Sequence, residues 1–186
     1  MIFSTTIFAQ SAPVLSAIGN LETNEDTPLA QLLVGSDTDA DSLIYTVTID
    51  IPQIQYLLEA VTDSTSMLTF LLDENWWGTA GILVRVEDTT GLGDEEEFTL
   101  SVNAVNDKPV IVDISNSTVS EEGDFNLALS ASDVDILTNN QTLSYSASSV
   151  NLSLVAVSIS DDDGNGSGQL NFDLQDDQHG SSEITV

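Results

Sequence analysis

The sequence predicts an all-β protein of two tandem Greek-key β-sandwiches, the second truncated at its C-terminus. Three observations carry this. No stretch sustains the 3.6-residue apolar period of a helix, whereas short runs alternate apolar and polar residues with period two. Clusters of Gly, Asn, Asp and Pro punctuate those runs and leave about seven strands per repeat, the number a two-layer sandwich uses. The pattern also starts twice: Glu25 leads to Asp37-Thr-Asp39 and Glu121 leads to Asp133-Val-Asp135, both at an offset of 96 residues (25 to 121, 37 to 133). Self-similarity at one domain length marks a tandem array.

The elements follow in order. Residues 1–11 open with an apolar run that has small residues at cleavage-like spacing but no basic flank; a signal-peptide remnant and an accident of where the sequence begins both stay open. Repeat 1 covers 12–107. Asn24 to Pro28 is a loop, because proline has no place in a central ladder. Leu29 to Val34 and Leu43 to Ile49 read as strands, 51–60 is ambiguous, and Met67 to Leu72 is a strand. Ile82, Val84 and Val86 face inward, Thr89 to Asp94 turns, and Phe98, Leu100 and Val102 line the final strand. Repeat 2 covers 108–186. Leu143, Tyr145 and Ala147 repeat Leu43, Tyr45 and Val47 after a four-residue insertion at 138–141. Phe125, Leu127 and Leu129 alternate, as do Leu152, Leu154 and Ala156, and Asp161 to Gly168 is a loop. Gly166-Ser167 with Leu170, Phe172, Leu174 and Asp176 aligns with Gly78-Thr79 and the strand to Asp88, at an offset of 88 (78 to 166, 88 to 176). On that alignment the chain stops inside the last strand, as a fragment of a longer array would.

Charge narrows the function. Thirty-one acidic residues face two strong cations, Arg85 and Lys108, for a net charge of −29. Nucleic-acid binding needs a basic face, and anionic membrane surfaces attract one. Self-repulsion on this scale opposes a compact state unless cations screen or bind it. No cysteine supplies a covalent staple, and no apolar run is long enough for a membrane-spanning helix.

The acids cluster on turns. Asp37, Asp39, Asp41 and Asp88 are expected at one end of the first sandwich, with Asp133, Asp135, Asp176 and Asp177 at the matching end of the second. Glu25, Asp73 and Glu74 belong to other loops, as do Glu121, Asp161 and Asp162 in the second copy. Calcium takes six to eight oxygen ligands from such groups, while solubility and turn chemistry explain any single aspartate. Two stretches resemble EF-hand loops, but position twelve is Phe172 in one and Thr48 in the other, so neither is one. Trp76-Trp77 offers a ring for sugar stacking, with core packing the plainer reading. His179 is the only histidine and forms no triad or zinc site. Adjacent carboxylates such as Asp73 and Glu74 have nothing to separate their pKa values, so an enzyme is not expected.

Five motifs together resemble the bacterial cadherin-like tandem repeats of large surface adhesins: Asn24-Glu-Asp-Thr27, Asp37-Thr-Asp-Ala-Asp41, Asn75-Trp-Trp-Gly78, Val86-Glu-Asp-Thr-Thr-Gly91 and Val105-Asn-Asp-Lys-Pro-Val110. The resemblance covers nearly everything from residue 12 onward. It implies cadherin-like or Ig-like sandwiches with Ca2+ at the seam between repeats, held by Glu25, Asp73, Glu74, Asn106, Asp107, Asp133, Asp135 and Asp176. Asp37, Asp39 and Asp88 would form the equivalent set at the free end of repeat 1. The linker departs from the family pattern at Ala104 and Lys108, and Asp73-Glu-Asn75 only approximates the family loop. The expected function is a calcium-binding, adhesive or structural repeat region of an extracellular or cell-surface bacterial protein. Its expected partners are neighbouring repeats and a surface glycan or protein. The alternative is an accessory carbohydrate-binding or spacer module of a secreted enzyme.

Overall fold

The computed structural model describes residues 10–121, 123–136 and 141–186. These carry fourteen strands and, among the described residues, no helix. They form two compact units, Met1–Val105 and Asn106–Val186. The apolar opening run and most of the insertion expected at 138–141 lie outside the described residues.

Unit 1 contains β1 (Val14–Leu15), β2 (Leu21–Asn24), β3 (Leu29–Ser36), β4 (Ile44–Ile49), β5 (Ile54–Thr62), β6 (Thr65–Leu72), β7 (Gly78–Glu87) and β8 (Gly93–Asn103). One sheet has the order β1-β3-β6-β5 and the other β2-β8-β7-β4. The chain changes sheet at β1–β2, β2–β3, β3–β4, β4–β5 and β6–β7, the crossing connections of a two-sheet sandwich. Period-two alternation gives each strand one buried face. Leu33, Leu68 and Phe70 from the first sheet meet Ile82, Val84, Val86 and Leu100 from the second, each exposed by 2% or less. Each such side chain contributes roughly 1.5–3 kcal/mol on leaving water. The inward sets expected on β7 and β8 are the buried ones.

The ambiguous stretch 51–60 holds β5, an edge strand with most of its side chains exposed. A half-wet edge has no clean alternation to read. Its register comes from the hairpin to β6, and a bulge between Ala60 and Thr62 breaks the ladder, a common device on edges.

Unit 2 contains β9 (Val110–Ile111), β10 (Phe125–Ser132), β11 (Ser148–Ser149), β12 (Val155–Ser160), β13 (Ser167–Leu174) and β14 (Ile184–Thr185). One sheet has the order β9-β10-β13-β12, and β11 pairs with β14 alone. β9 meets β10 as β1 meets β3, with Val14↔Ser36 answered by Val110↔Ser132. The 96-residue offset therefore holds through the first third of each unit. A tyrosine latch also recurs: Tyr45 Oη donates to the Ser64 carbonyl and Tyr145 Oη to the Gly166 carbonyl, both at 2.6 Å. Burial raises the pKa of both phenols.

Beyond that point the structure corrects the sequence alignment. β13 pairs with β10 on one side and β12 on the other, as β6 pairs with β3 and β5. The partner of β13 in unit 1 is therefore β6, not β7, and the offset is 102 (Leu68 to Leu170, Phe70 to Phe172). Backbone angles agree: Asn75 and Asp177 have φ of 56° and 55°, and Gly78 and Gly180 have 147° and 146°. β14 then answers β7, since Ile49↔Ile82 is matched by Ser149↔Ile184. Val186 corresponds to Val84, so residue 186 lies in the counterpart of β7 rather than in the last strand. Residues 143–147 carry no strand. The alternation expected at Leu152, Leu154 and Ala156 is also out of phase. A turn in which the Leu154 and Val155 amides donate to the Asn151 carbonyl delays the strand to Val155, leaving Leu152 67% exposed.

The β7–β8 hairpin requires a glycine at 93, where a Cβ would stand 2.5 Å from the Val86 carbonyl oxygen. Backbone cannot yield to a methyl group without breaking the ladder. Gly93→Ala should lower the stability of unit 1 by about 1–3 kcal/mol, read as a reduced denaturant midpoint. An unchanged midpoint would contradict the packing described.

Candidate functional site

At the leading end of unit 1, β3 runs into the turn Asp37 to Asp41. The Asp39 amide donates to Asp37 Oδ1 at 2.6 Å, and Ala40 adopts φ 61°. The Ser11 amide and hydroxyl donate to Asp39 Oδ2 at 2.7 and 2.8 Å. The amide bond, followed by the hydroxyl bond, holds the Asp39 carboxyl below its ordinary pKa. Turned toward them, the Gln10 side-chain amide donates to Asp39 Oδ2 at 3.1 Å and Asp41 Oδ2 at 3.2 Å.

Asp88 comes to the same end from the other sheet, directly after β7. It is 3% exposed. Its Oδ1 accepts from the Thr90 amide and hydroxyl at 2.8 Å each and from the Leu92 amide at 3.0 Å. Burial disfavours its charge, but the Thr90 and Leu92 hydrogen bonds outweigh that and hold the pKa below the usual value. Its charge also reaches Asp39, where it opposes ionisation. Asp88 Oδ2 and Asp37 Oδ2 are both shielded from solvent without a hydrogen-bond partner. Carboxylate oxygens in that state are costly, and a bound cation is a group that satisfies them.

The trailing end of unit 1 holds Glu25, Asp73 and Glu74. Glu25 is 4% exposed. Its amide donates to the Asn103 carbonyl at 2.9 Å, and its Oε1 accepts from the Val105 amide. Asp26 Oδ1 accepts from the Asn75 amide at 2.9 Å, tying the loop before β3 to the loop after β6. Asp73 and Glu74 are exposed. Trp76 packs against the core and Trp77 is 47% exposed.

In unit 2 two hydrogen bonds of the leading turn recur. The Asp107 amide donates to Asp135 Oδ2 at 2.6 Å, and the Asp135 amide to Asp133 Oδ1 at 2.8 Å. These match Ser11 on Asp39 and Asp39 on Asp37, each at the 96-residue offset. Asn106 joins them, its side-chain amide donating to the Asp107 carbonyl at 2.7 Å while its Oδ1 accepts from Gln141. Asp135 is 4% exposed.

Asp176 and Asp177 do not join this group. They follow β13 at the end where Phe125 pairs with Phe172, whereas Asp133 follows β10 at the other end. Asp176 corresponds to Glu74 and not to Asp88. Asp161 and Asp162 change ends for the same reason, since they precede β13 on the hairpin from β12. Neighbouring Asp163 Oδ1 accepts from the Asn165 and Ser167 amides at 2.8 and 2.9 Å, which lower its pKa. Among the described residues, no three carboxylate or imidazole groups gather into a ready-made metal-ligating set.

Sequence reasoning missed a second use of the acids. Asp94 Oδ2 accepts from the Leu15 amide at 2.9 Å, and Glu96 Oε1 accepts from the Ile18 and Gly19 amides at 2.9 and 3.4 Å. These β8 carboxylates hold the N-terminal segment. Nothing in the acidic run Asp94 to Glu97 distinguishes them from solubilising charge.

The sign of the Asp88 shift gives a pH dependence. A carboxyl with a lowered folded-state pKa contributes stability that is present above its unfolded value, about 3.9, and is lost as pH falls through the folded value. With divalent cations removed, wild type should gain stability relative to Asp88→Asn as pH rises through about 4. Parallel unfolding curves for the two proteins across that range would refute the assignment.

Residues 10–101 match a family model described as Bacterial Ig domain. No curated protein matches the chain. Among solved structures the chain is similar to an endo-fucoidan hydrolase of glycoside hydrolase family 107, at 19% identity over 93% of this chain and 27% of that one, TM-score 0.45. It is similar to surface layer protein SbsC, domains 4–9, at 15% identity over 95% and 29% of the two chains, TM-score 0.39. It is also similar to a variant of titin domains I67–I69, at 12% identity over 88% and 56%, TM-score 0.40. The chain spans about a quarter of the length of the hydrolase. With TM-scores below 0.5, these likenesses carry no argument about fold or activity. The family match is to Ig-like domains and not specifically to the cadherin-like repeats whose motifs the sequence resembles. Over residues 10–101, unit 1 is similar to a bacterial Ig domain.

Proposed function

We propose that the chain is a structural repeat region of a secreted or cell-surface bacterial protein, and that Ca2+ stabilises the leading end of its repeats. The observation that carries this is the pair of solvent-shielded, unbonded oxygens, Asp37 Oδ2 and Asp88 Oδ2, on turns from opposite sheets of unit 1. An ion bound there would join the two sheets where no disulfide does. It would also remove the repulsion between Asp88 and Asp39. Two or three carboxylates suffice, because calcium completes its shell with carbonyl oxygens and water. Asn106, Asp107, Asp133 and Asp135 would hold the ion at the leading turn of unit 2, where two of the turn's hydrogen bonds recur at the same offset. Nothing in this arrangement pairs a nucleophile with a base, so the role is mechanical: the ion offsets part of the −29 charge and stiffens each repeat, as an extended adhesive stalk requires.

Calcium titrated into the chelator-treated full chain should bind with a dissociation constant on the order of 0.1–1 mM, the range of extracellular calcium modules. The thermal midpoint should rise with it at low ionic strength. Asp37→Asn/Asp88→Asn should abolish the unit 1 component. Equal binding heat in wild type and the double variant, or a midpoint indifferent to chelator, would sink this reading.

The exposed Trp77 ring supports a second reading, a carbohydrate-contacting surface. Its counterpart in unit 2 at the 102-residue offset is His179, so the feature belongs to unit 1 alone. Glycan titration should then quench tryptophan fluorescence saturably in wild type and not in Trp77→Ala. An unaltered quench in the variant would dismiss the surface.

A further inference from the structure

The first sheet of unit 1 ends in a long edge. β5 pairs with β6 on one side, and among the described residues no strand pairs with it on the other. Parity shows which main-chain groups face that open side. The Asp73 amide donates to the Gln53 carbonyl at 2.9 Å, so Gln53 turns its main-chain groups toward β6. Antiparallel pairs alternate between bonded and non-bonded, so Gln55, Leu57 and Glu59 do the same. The N–H and C=O groups of Ile54, Tyr56, Leu58 and Ala60 therefore line the open edge. Side chains of these residues hold the edge in place: Ile54 and Leu58 pack on the core, and Tyr56 Oη donates to the Val47 carbonyl at 3.0 Å.

Edges of this length are usually blunted by charge, proline or shortness. β5 contains no proline and one charge, Glu59, and its bulge lies beyond Ala60. Residues 54–60 are thus a regular strand with one side unpaired. On the outer face Leu57 is 53% exposed, and Leu32 and Leu71 on the same face are exposed as well. The other sheet turns Glu22, Glu87, Glu95 and Glu97 outward. In a chain with a net charge of −29, copies approach with little repulsion only where acids are sparse, and β5 is such a place.

We propose that β5 is a self-association edge: two copies of the chain pair antiparallel along Ile54 to Ala60 and extend the first sheet across a two-fold axis. The open groups and the outer-face side chains fix the register. An axis at Leu57 sets Ile54 opposite Ala60 of the second copy and Tyr56 opposite Leu58, which uses every open group from 54 to 60. It also sets Leu57 against Leu57 and the Gln55 amide against the Glu59 carboxylate. An axis at Leu58 would put Glu59 against Leu57, and an axis at Glu59 would oppose two carboxylates, which is destabilising. Main-chain bonds supply affinity and the outer-face pairs supply register, the physics of strand addition. Edge pairing covers little area, so the association belongs with the weak ones that bury less than about 1,200 Å2. This goes beyond the calcium reading and does not depend on it.

The test uses the full chain at roughly 0.15 M salt, where exposed like charges are screened beyond about 8 Å, with chelator present so that no ion bridges the copies. Sedimentation should show a monomer–dimer equilibrium that shifts to dimer with concentration. Ala60→Pro removes an N–H from the open edge, a position where proline is tolerated, and should weaken the dimer at least tenfold. Leu57 provides an independent probe. Cα atoms of a non-hydrogen-bonded antiparallel pair stand about 4.5 Å apart, within disulfide reach, and the chain has no cysteine of its own. Under a mild oxidant, Leu57→Cys should form a covalent dimer at least tenfold faster than Glu59→Cys, whose thiols would lie about 14 Å apart along the strands in this register. A chain that stays monomeric, equal cross-linking of the two cysteine variants, or an Ala60→Pro protein that associates as wild type does would overturn the proposal. So would a dimer that Leu57→Cys does not trap, since another surface would then hold it.

Discussion

Strand β8 is the constraint on which unit 1 depends. It is hydrogen-bonded along both edges, to β7 and to β2. Its inner face contributes Phe98, Leu100 and Val102 to the core, while Asp94 and Glu96 on the same strand bind the backbone of residues 15–19. One strand thus closes the second sheet, completes the hydrophobic layer and secures the N-terminal segment. Buried apolar area and satisfied backbone groups cannot be separated here, because each requires the other. In unit 2, β9, β10, β12 and β13 bond among themselves, and β11 pairs with β14 over two residue pairs.

The acidic residues obey a similar economy. A protein with two strong cations cannot neutralise its carboxylates by ion pairing, and Arg85 is already engaged with Glu87 at 2.8 Å and Glu95 at 3.5 Å. Such exposed pairs stabilise little. The carboxylates are instead spent on backbone amides: Asp39 on Ser11, Asp88 on Thr90 and Leu92, Glu25 on Val105, Asp163 on Asn165 and Ser167. Bonds to a charged acceptor are stronger than neutral ones, so each turn is fixed locally without a cation. What this strategy leaves unsatisfied is the second oxygen of a carboxylate buried by its own turn, and Asp37 and Asp88 are where that residue of unmet demand collects.

Much of the fold was legible in the sequence, for definite reasons. Half-buried strands announce themselves by period two, and β3, β7, β8 and β10 have one wet face and one dry face throughout. The Glu and Asp-x-Asp motifs fixed the 96-residue offset because their turn geometry is tied to particular side chains. The later alignment slipped because β6 and β7 are both alternating strands, so a glycine followed by three apolar residues fits either. Only pairing partners and the positive φ values at Asn75, Asp177, Gly78 and Gly180 separate them. That slip carried Asp176 to the wrong end of unit 2. The shared end of Asp37, Asp39 and Asp88 in unit 1 was nearer to hand, since these acids bracket strands that sequence pattern had already placed. What sequence could not show was which of their oxygens lacked partners, because shielding depends on how two turns from different sheets meet.

The two units together separate local from global determinants of the leading turn. In unit 1 the turn forms beside a complete second sheet and beside Asp88. In unit 2 residues up to 186 include neither β8 nor a counterpart of Asp88, yet Asp107, Asp135 and Asp133 reproduce the bonds of Ser11, Asp39 and Asp37 with matching atoms. The turn is therefore built from its own residues and the sheet that leads into it. A turn whose bonds recur in both units from its own residues is preorganised: its ordering cost is met by local hydrogen bonds.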